Sequence, residues 1–303
     1  MNYVKNYLNK LKQIIPEGIK QPLRRGRRFI SAGIHKVQHD PSTDYGETVE
    51  ETLAKSYQLK YGPRFNAALD NRDEMYKFIK TRKVGGNITG SQTHYFSSGE
   101  MAFTAFKDIL GDQGISFTKI ASLLEFACGY GRITRFLVTG IDSKNITVSD
   151  IDSSAVKFNA AKFGTRPLVS VSNPANFVCR NKFQVIFVAS LFSHLNLAIW
   201  PLWLERLYKL LKPGGLLIFS THGVEHNLPA NSNELLVKDG FWFNPANETA
   251  GRLATEIYGT TWVSETWVRK CVQEYGMGSI SAYYPKKLWM QDVYIIKQSS
   301  FAS

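Results

Sequence analysis

The stretch LLEFACGYGRITRFL, residues 123–137, begins as an apolar run, breaks at Gly129 and Gly131, and resumes with Ile133, Phe136 and Leu137 on one helical face. A buried strand that passes into a helix through glycines leaves bare backbone at the junction, because no Cβ stands in the way. The first helical turn adds N–H groups that have no partner within the helix. A junction of this kind lets a ligand lie against the main chain.

The same punctuation repeats outward from it. NITVSD (145–150) reads as a second strand, and SSAVKFNAAKF (153–163) as a helix with serine at its start. RPLVSVS (166–172) reads as a third strand, and FQVIFVASLF (183–192) as a fourth, apolar on both faces as a buried parallel strand should be. Pro201 opens a helix with Trp200, Leu204, Leu207 and Leu211 at helical spacing. KPGG (212–215) breaks it and LLIFST (216–221) forms a fifth strand. After a loop-like stretch, residues 222–263, SETWVRKCVQEYG (264–276) reads as a helix, and SISAYY (279–284) and QDVYIIK (291–297) as two closing strands. Strands alternating with helices predict an α/β fold with a doubly wound sheet, five strands of it parallel. A loop as long as 222–263 inside a compact domain is usually functional, so it is read as a lid. The α/β domain then covers 118–303. Residues 37–117 form a mostly helical region, with TRKVGGNITGSQTHYFSSG (81–99) as a polar loop ahead of the helical EMAFTAFKDIL (100–110).

With 303 residues the chain can bury a substantial core, and 13% aromatic content argues against disorder. Its longest apolar run, residues 185–192, is too short to span a membrane, and no apolar segment follows Lys5, Lys10 and Lys12 to make a secretory signal. Cys128, Cys179 and Cys271 are odd in number and widely spaced, which suits a reducing cytoplasm and offers neither a disulfide framework nor a metal-ligand pattern. No carboxylate and histidine cluster argues for a metal. The net charge of +12 is concentrated at one end: residues 1–36 hold nine basic side chains against Glu17 alone. Val4, Tyr7, Leu8, Leu11, Ile14 and Ile15 fall at helical spacing there, until Pro16 stops the helix. Three readings fit this basic amphipathic arm: docking on the main domain, contact with an anionic membrane at its inner surface, or contact with nucleic acid. The last ranks lowest, because the arm has no recognisable reading module.

Three ligand classes use glycine turns between strand and helix. A phosphate-binding loop needs Lys followed by Ser or Thr, and this turn ends in Arg132-Ile133. A dinucleotide fingerprint needs a third glycine, where Thr134 stands. The remaining shape, acidic-x-(Gly/Ala)-x-Gly-x-Gly, is met by residues 125–131 and suits S-adenosylmethionine. Asp150, twenty-one residues after Gly129, ends the second strand where a carboxylate accepts ribose hydroxyls.

LLEFACGYGR, VSDIDSSAV, FQVIFVASLFSHL and LLKPGGLLIFSTHG, in this order, resemble the class I S-adenosylmethionine-dependent methyltransferases. With YGTTWVSETWV and WMQDVYIIK downstream they also resemble a bacterial subgroup often associated with glycan or cell-surface metabolism. The resemblance implies a seven-stranded Rossmann-like sheet and S-adenosyl-L-methionine as cofactor. It implies Glu125 near the methionine ammonium, and Ala127, Gly129 and Gly131 along the cofactor backbone. It places Asp150 on the ribose, Ile151 on the adenine, and Ala189 and Ser190 on the methionine side. Ala127 replaces the usual first glycine. The usual acidic residue after the third strand is missing, with Asn173 among the substitutes, and Tyr95, beside His94, is expected to cover the cofactor from the N-terminal side.

Methyl transfer to a hydroxyl needs alignment and a proton acceptor. Candidates at the carboxyl ends of the strands are His222, after the fifth strand, and His194, after the fourth, with His222 first because it opens the lid. Glu225 and His226 on the lid, Tyr258, Gln291 and Asp292 are expected to add polar contacts, and Trp200, Trp203 and Trp289 to pack. The sequence thus predicts O-methylation of a sugar, glycan or other hydroxylated small molecule. The alternatives are nucleic-acid methylation using the basic arm, against which no Asn-Pro-Pro-Tyr-type motif follows the fourth strand, and a non-catalytic cofactor-binding protein.

Overall fold

The central apolar runs after residue 120 become strands because each offers side chains to two covered faces, while the edge runs stay partly exposed. The computed structural model describes residues 49–81, 88–224, 239–245 and 255–300. The basic arm, Glu225 and His226 lie outside them. Three helices come first: α1 (Val49–Tyr61), α2 (Glu74–Thr81) and α3 (Ile88–Asp112). The alternation then runs β1 (Leu123–Phe126), α4 (Thr134–Gly140), β2 (Ile146–Asp150), α5 (Ser153–Phe163), β3 (Arg166–Val169), β4 (Phe183–Val188), α6 (Trp200–Tyr208) and β5 (Leu211–Thr221). The chain continues with β6 (Phe241–Asn244), β7 (Thr260–Val263), α7 (Glu265–Glu274), β8 (Ile280–Leu288) and β9 (Gln291–Lys297).

Seven strands form one mixed sheet in the order β3-β2-β1-β4-β5-β9-β8. The first five are parallel, and β9 runs antiparallel to both β5 and β8. Strand order reverses at β1, which pairs with β2 on one side and β4 on the other. In an open sheet of this type the crevice beyond the carboxyl ends at that reversal is where ligands bind.

Successive residues alternate between two cores. Leu123, Val185, Phe187, Leu216 and Ile218 face a core shared with α1 to α5, where Phe106 stacks on Phe187 at 4.4 Å. Leu124, Ile186, Val188, Leu217 and Phe219 face the other, closed by Trp203, Leu204 and Leu207 of α6 and Val268 and Val272 of α7. The N-terminal helices therefore share the sheet's own core. Tyr57 of α1 and Phe65 beyond it pack against Phe136 of α4 at 5.8 and 5.1 Å.

Three expectations change. The polar run at 81–99 is not all loop, because α3 already starts at Ile88. Within the helix Ser97 and Ser98 turn their hydroxyls onto the carbonyls of His94 and Tyr95, at 3.1 and 2.8 Å, which satisfies the polarity that reads as loop. Second, β5 reaches back through KPGG to Leu211, with a register irregularity opposite Phe183 and Val185 where the break was expected. Third, the lid stretch contains an antiparallel pair, Phe241–Asn244 with Thr260–Val263, as its run of aromatic and β-branched residues permits. Among the described residues no helix is long and apolar enough to cross a membrane.

Candidate active site

The turn after β1 bends through three left-handed residues, Ala127, Gly129 and Gly131, with φ of 61, 52 and 75°. An alanine there carries strain of about 1–2 kcal/mol that glycine avoids. The two glycines do different jobs. A Cβ on Gly131 would lie 2.4 Å from Phe163 Cε2 and 2.5 Å from Asn159 Oδ1, so Gly131 lets α5 close against the turn. A Cβ on Gly129 would meet nothing within 4 Å. Gly129 faces open space, and that is the side on which a ligand can lie.

Asp150, half-buried at the end of β2, holds this turn open. Its Oδ2 accepts from Gly129 N at 2.8 Å and its Oδ1 from Asp152 N at 2.9 Å. Burial raises its pKa, and these backbone donors oppose the rise. Two carboxylate oxygens offer about four acceptor sites, so these donors, with the Ile151 N–H beside them, still leave room for a hydroxyl. From the other side Asn159 Nδ2 donates to Gly129 O and Ala155 O, both at 2.8 Å. The sequence reading did not single out Asn159, because nothing local in KFNAAKF sets it apart from a polar helix residue.

Glu125 is 3% exposed and accepts from Thr134 Oγ1 at 2.6 Å. Burial pushes its pKa up to about 8; the Thr134 hydroxyl and, more weakly, Arg132 act against that, while Asp150 adds to it. A carboxyl so placed is ready for a cationic group. Ile151, 40% exposed, offers an apolar surface just after β2. Asn173 is exposed, and its Oδ1 is taken locally by Ala175 N at 3.0 Å. Tyr95 does not cover the crevice. It is 0% exposed, donates to Asp73 Oδ2 at 2.5 Å and packs beside the buried Arg135 guanidinium, which makes it a core residue. The cause is helical phase: α3 turns Tyr95 inward, and its neighbour His94 is the half-buried one.

Ala189 and Ser190 follow β4, both half-buried, with Ser190 left-handed at φ 66°. A closed network holds that conformation. Ser190 N donates to Ser220 Oγ at 2.8 Å, and Ser220 Oγ donates to Gln291 Oε1 at 2.7 Å. Gln291 Nε2 donates to Ser190 Oγ at 2.8 Å and to Ser193 Oγ at 3.3 Å. Ser193 in turn donates to Ser190 O at 2.6 Å. Ser193 and Ser220 are fully buried. Asp292, next to Gln291, is occupied by Tyr283 OH and Lys286 N at 3.0 and 2.9 Å.

Beyond this network the two histidines come together, with ring centroids 6.3 Å apart. His194 Nδ1 lies 2.8 Å from Gly259 O. A carbonyl only accepts, so Nδ1 carries the proton and the lone pair of the neutral ring is on Nε2. Tyr258 stacks on His194 at 4.8 Å and 11°. Trp262 lies 5.7 Å from His222, and Trp242 4.7 Å from Trp262. Residues 257–261 reach this place because Asn196 N donates to Ile257 O, Gly259 N to His194 O and Thr261 N to Ser193 O, at 3.2, 2.8 and 2.8 Å.

Trp289, expected to pack, is half-buried at the tip of the β8–β9 hairpin. It and Met290 have φ of 50 and 71°. Left-handed conformations at two bulky residues are strained by about 1–2 kcal/mol each.

Residues 124–217 match the family model of a methyltransferase domain. Among curated protein sequences none matches the chain. Among solved structures, DesVI of Streptomyces venezuelae is similar with a TM-score of 0.50 at 11% identity, over 77% of this chain and 99% of that one. An S-adenosylmethionine-dependent methyltransferase of Clostridium acetobutylicum has a TM-score of 0.48 at 15% identity, over 66% and 92%. Magnesium protoporphyrin IX methyltransferase of Synechocystis, solved with bound SAH, has 0.46 at 13% identity, over 83% and 98%. At these identities the likeness is one of fold.

Proposed function

We propose that this chain, whose residues 124–217 match a methyltransferase domain, is a class I S-adenosylmethionine-dependent methyltransferase and that it methylates a hydroxyl of a sugar or other hydroxylated small molecule at the histidine pair. The residues fit the cofactor by their own chemistry. Gly129 faces open space, Asp150 has acceptor capacity beyond its backbone donors, Ile151 exposes an apolar surface, and Glu125 is a buried acid whose partner, Thr134, is neutral. When bound, the cofactor supplies a methyl carbon on a sulfonium that departs as a neutral thioether, the C–S electron pair returning to sulfur.

The remaining work belongs to the chain. A neutral imidazole takes the hydroxyl proton as the new C–O bond forms, while the aromatic faces of Tyr258, Trp262 and Trp242 exclude water and orient the acceptor. The observation that carries this reading is the 2.8 Å contact of His194 Nδ1 with Gly259 O, which puts the proton on Nδ1 and the lone pair of the neutral ring on Nε2. That contact also supports His194 as the base, with His222 as its neighbour, although His222 is the stronger candidate from sequence. The basic arm is proposed to hold the enzyme at an anionic membrane surface.

The test begins with a screen of sugars, nucleotide-sugars and glycolipids by release of the demethylated product. On the acceptor so found, His194→Ala should cut turnover by about 10²–10⁴-fold with cofactor affinity preserved. His222→Ala should cut it less. Near-normal turnover in His194→Ala would return the role to His222 or to alignment alone.

A further inference from the structure

Arg135, in the first turn of α4, is fully buried. Among the described residues its four hydrogen bonds all run to main-chain carbonyls. Nε donates to Gly131 O at 3.0 Å and Nη2 to Tyr130 O at 3.5 Å, while Nη1 donates to Asn66 O and Ala68 O at 3.0 and 3.1 Å. The rings of Tyr95, Phe96 and Phe163 close around the guanidinium, their centres 5.4, 5.1 and 5.4 Å from its carbon. Burial lowers its pKa, and Tyr95 and Asp73 act against that. Asp73 is itself taken by Tyr95 OH at 2.5 Å and Tyr76 N at 3.0 Å.

Two of the four carbonyls belong to the glycine turn, and two to a strap that crosses it. The strap runs between two buried anchors, Phe65 and Asp73, with residues 66–70 half-buried, 71 and 72 exposed, and no helix or strand of its own. Asn66 Nδ2 donates to Lys162 O at the end of α5 at 3.1 Å, and Arg72 lies over the Tyr130 ring at 5.7 Å. Tyr130 OH donates to Asp152 Oδ2 at 3.1 Å, and Asp152 N to Asp150 Oδ1 at 2.9 Å. The strap therefore reaches the turn directly, and through Tyr130 it reaches the loop that carries Asp150.

A guanidinium stripped of water is tolerated only while its donors are matched, and removing its partners on one side leaves an uncompensated buried charge. With the strap in place, Arg135 is dry and bonded on both sides. With the strap lifted, water must enter to Nη1 on the flank of the turn. Arrangements between these two are costly, which is the condition for a two-state element. A trans peptide is planar, with its N–H opposite its C=O. Holding the carbonyls of Tyr130 and Gly131 therefore also sets where the next two N–H groups point, beside the open face of Gly129. One side chain governs both the turn and the strap.

We propose that Arg135 is a positioning residue that links cofactor binding to closure of the strap 66–72 on the glycine turn. It touches the turn and the strap and not the ligand. This rests on the cofactor reading above. The linkage is reciprocal: a cofactor that favours the closed strap is held more tightly by it.

The experiment is amide hydrogen exchange on the full chain with and without S-adenosylhomocysteine, beside calorimetry with the same probe. In wild type the probe should slow exchange at least about fivefold both in the turn, residues 128–132, and in residues 66–73. Arg135→Met keeps the apolar stem and removes the charge and its donors. It should bind the probe at least about fivefold more weakly. The probe should still slow the turn in this variant and no longer slow 66–73. Arg135→Lys, with one ammonium for carbonyls on two sides, should uncouple the strap in part, and it decides the matter if the methionine variant does not fold. A wild-type turn that responds to the probe while 66–73 does not would overturn the proposal. So would a normal strap response in the folded variant, because lowered stability with the coupling intact is a merely structural role. Failure of wild type to bind the probe would instead overturn the cofactor reading.

Discussion

The two ends of the crevice are built differently. The cofactor end is a local object: one strand, one glycine turn and one helix, with Asp150 and Asn159 closing it from β2 and α5. The proposed acceptor end is assembled from four distant segments, Ser190 to His194, Ser220 to His222, Tyr258 to Trp262 and Gln291, joined by side-chain hydrogen bonds and ring contacts. A local object tolerates change elsewhere and fails when its own backbone is touched. An assembled one fails when any joint is cut, and it is the easier of the two to alter during divergence.

That contrast can be broken at each end. The largest effect is expected at Gly131, where alanine would place its Cβ 2.4 Å from Phe163 in a left-handed residue at φ 75°. Overpacking and strain together should lower stability by roughly 2–5 kcal/mol, read as a drop in melting temperature. A normal melt would mean that α5 does not close on the turn. At the acceptor end, Gln291→Leu removes the group that joins three serine hydroxyls. It should lower stability by about 1–3 kcal/mol in urea unfolding, with cofactor affinity within a few-fold of normal. If affinity collapses as well, the two ends are one cooperative unit and the contrast is wrong.

A smaller effect concerns the proton on Glu125. Its folded pKa, pushed up to about 8, lies above the usual carboxylate range. The sign follows: this group's contribution to stability is fully present below that range and is lost as pH rises through about 8. Glu125→Gln should therefore flatten that decline. An ammonium bound beside Glu125 pulls the proton off, so cofactor binding near neutral pH should release up to about one proton, measured by calorimetry in buffers of different ionisation enthalpy. Glu125→Gln should release none. The smallest effect is expected at Ala127, whose φ of 61° suits glycine. Relief of strain and the added freedom of the unfolded chain nearly cancel, so Ala127→Gly should move stability by no more than about 1 kcal/mol.

How far each end was legible in the sequence follows from the same contrast. The strand-turn-helix at residues 123–137, the acidic end of β2 and the alternation of strands and helices are written in neighbouring residues, and they predict the sheet and the glycine turn. Contacts between distant segments are not written that way. Nothing in SLFSHL announces that His194 will donate to Gly259, and nothing in WMQD announces that Gln291 will hold Ser190. Tyr95 shows a related limit: THYFSSG reads as polar loop, and only the serine hydroxyls turned back onto helix carbonyls let α3 continue and carry Tyr95 into the core. Trp289 reads as packing because apolar size is visible in sequence while the left-handed turn beneath it is not.

The central claim is that the cofactor lies on the open side of Gly129 with its ribose on Asp150, and it is tested most directly by titrating S-adenosylhomocysteine, which cannot react, into wild type and Asp150→Ala. Wild type should bind at one site. Asp150→Ala gives up charge-assisted hydrogen bonds worth about 1.5–3 kcal/mol each, so its affinity should fall at least about tenfold while the protein still melts cooperatively. Equal affinity in the two proteins, or no binding by wild type, would contradict it.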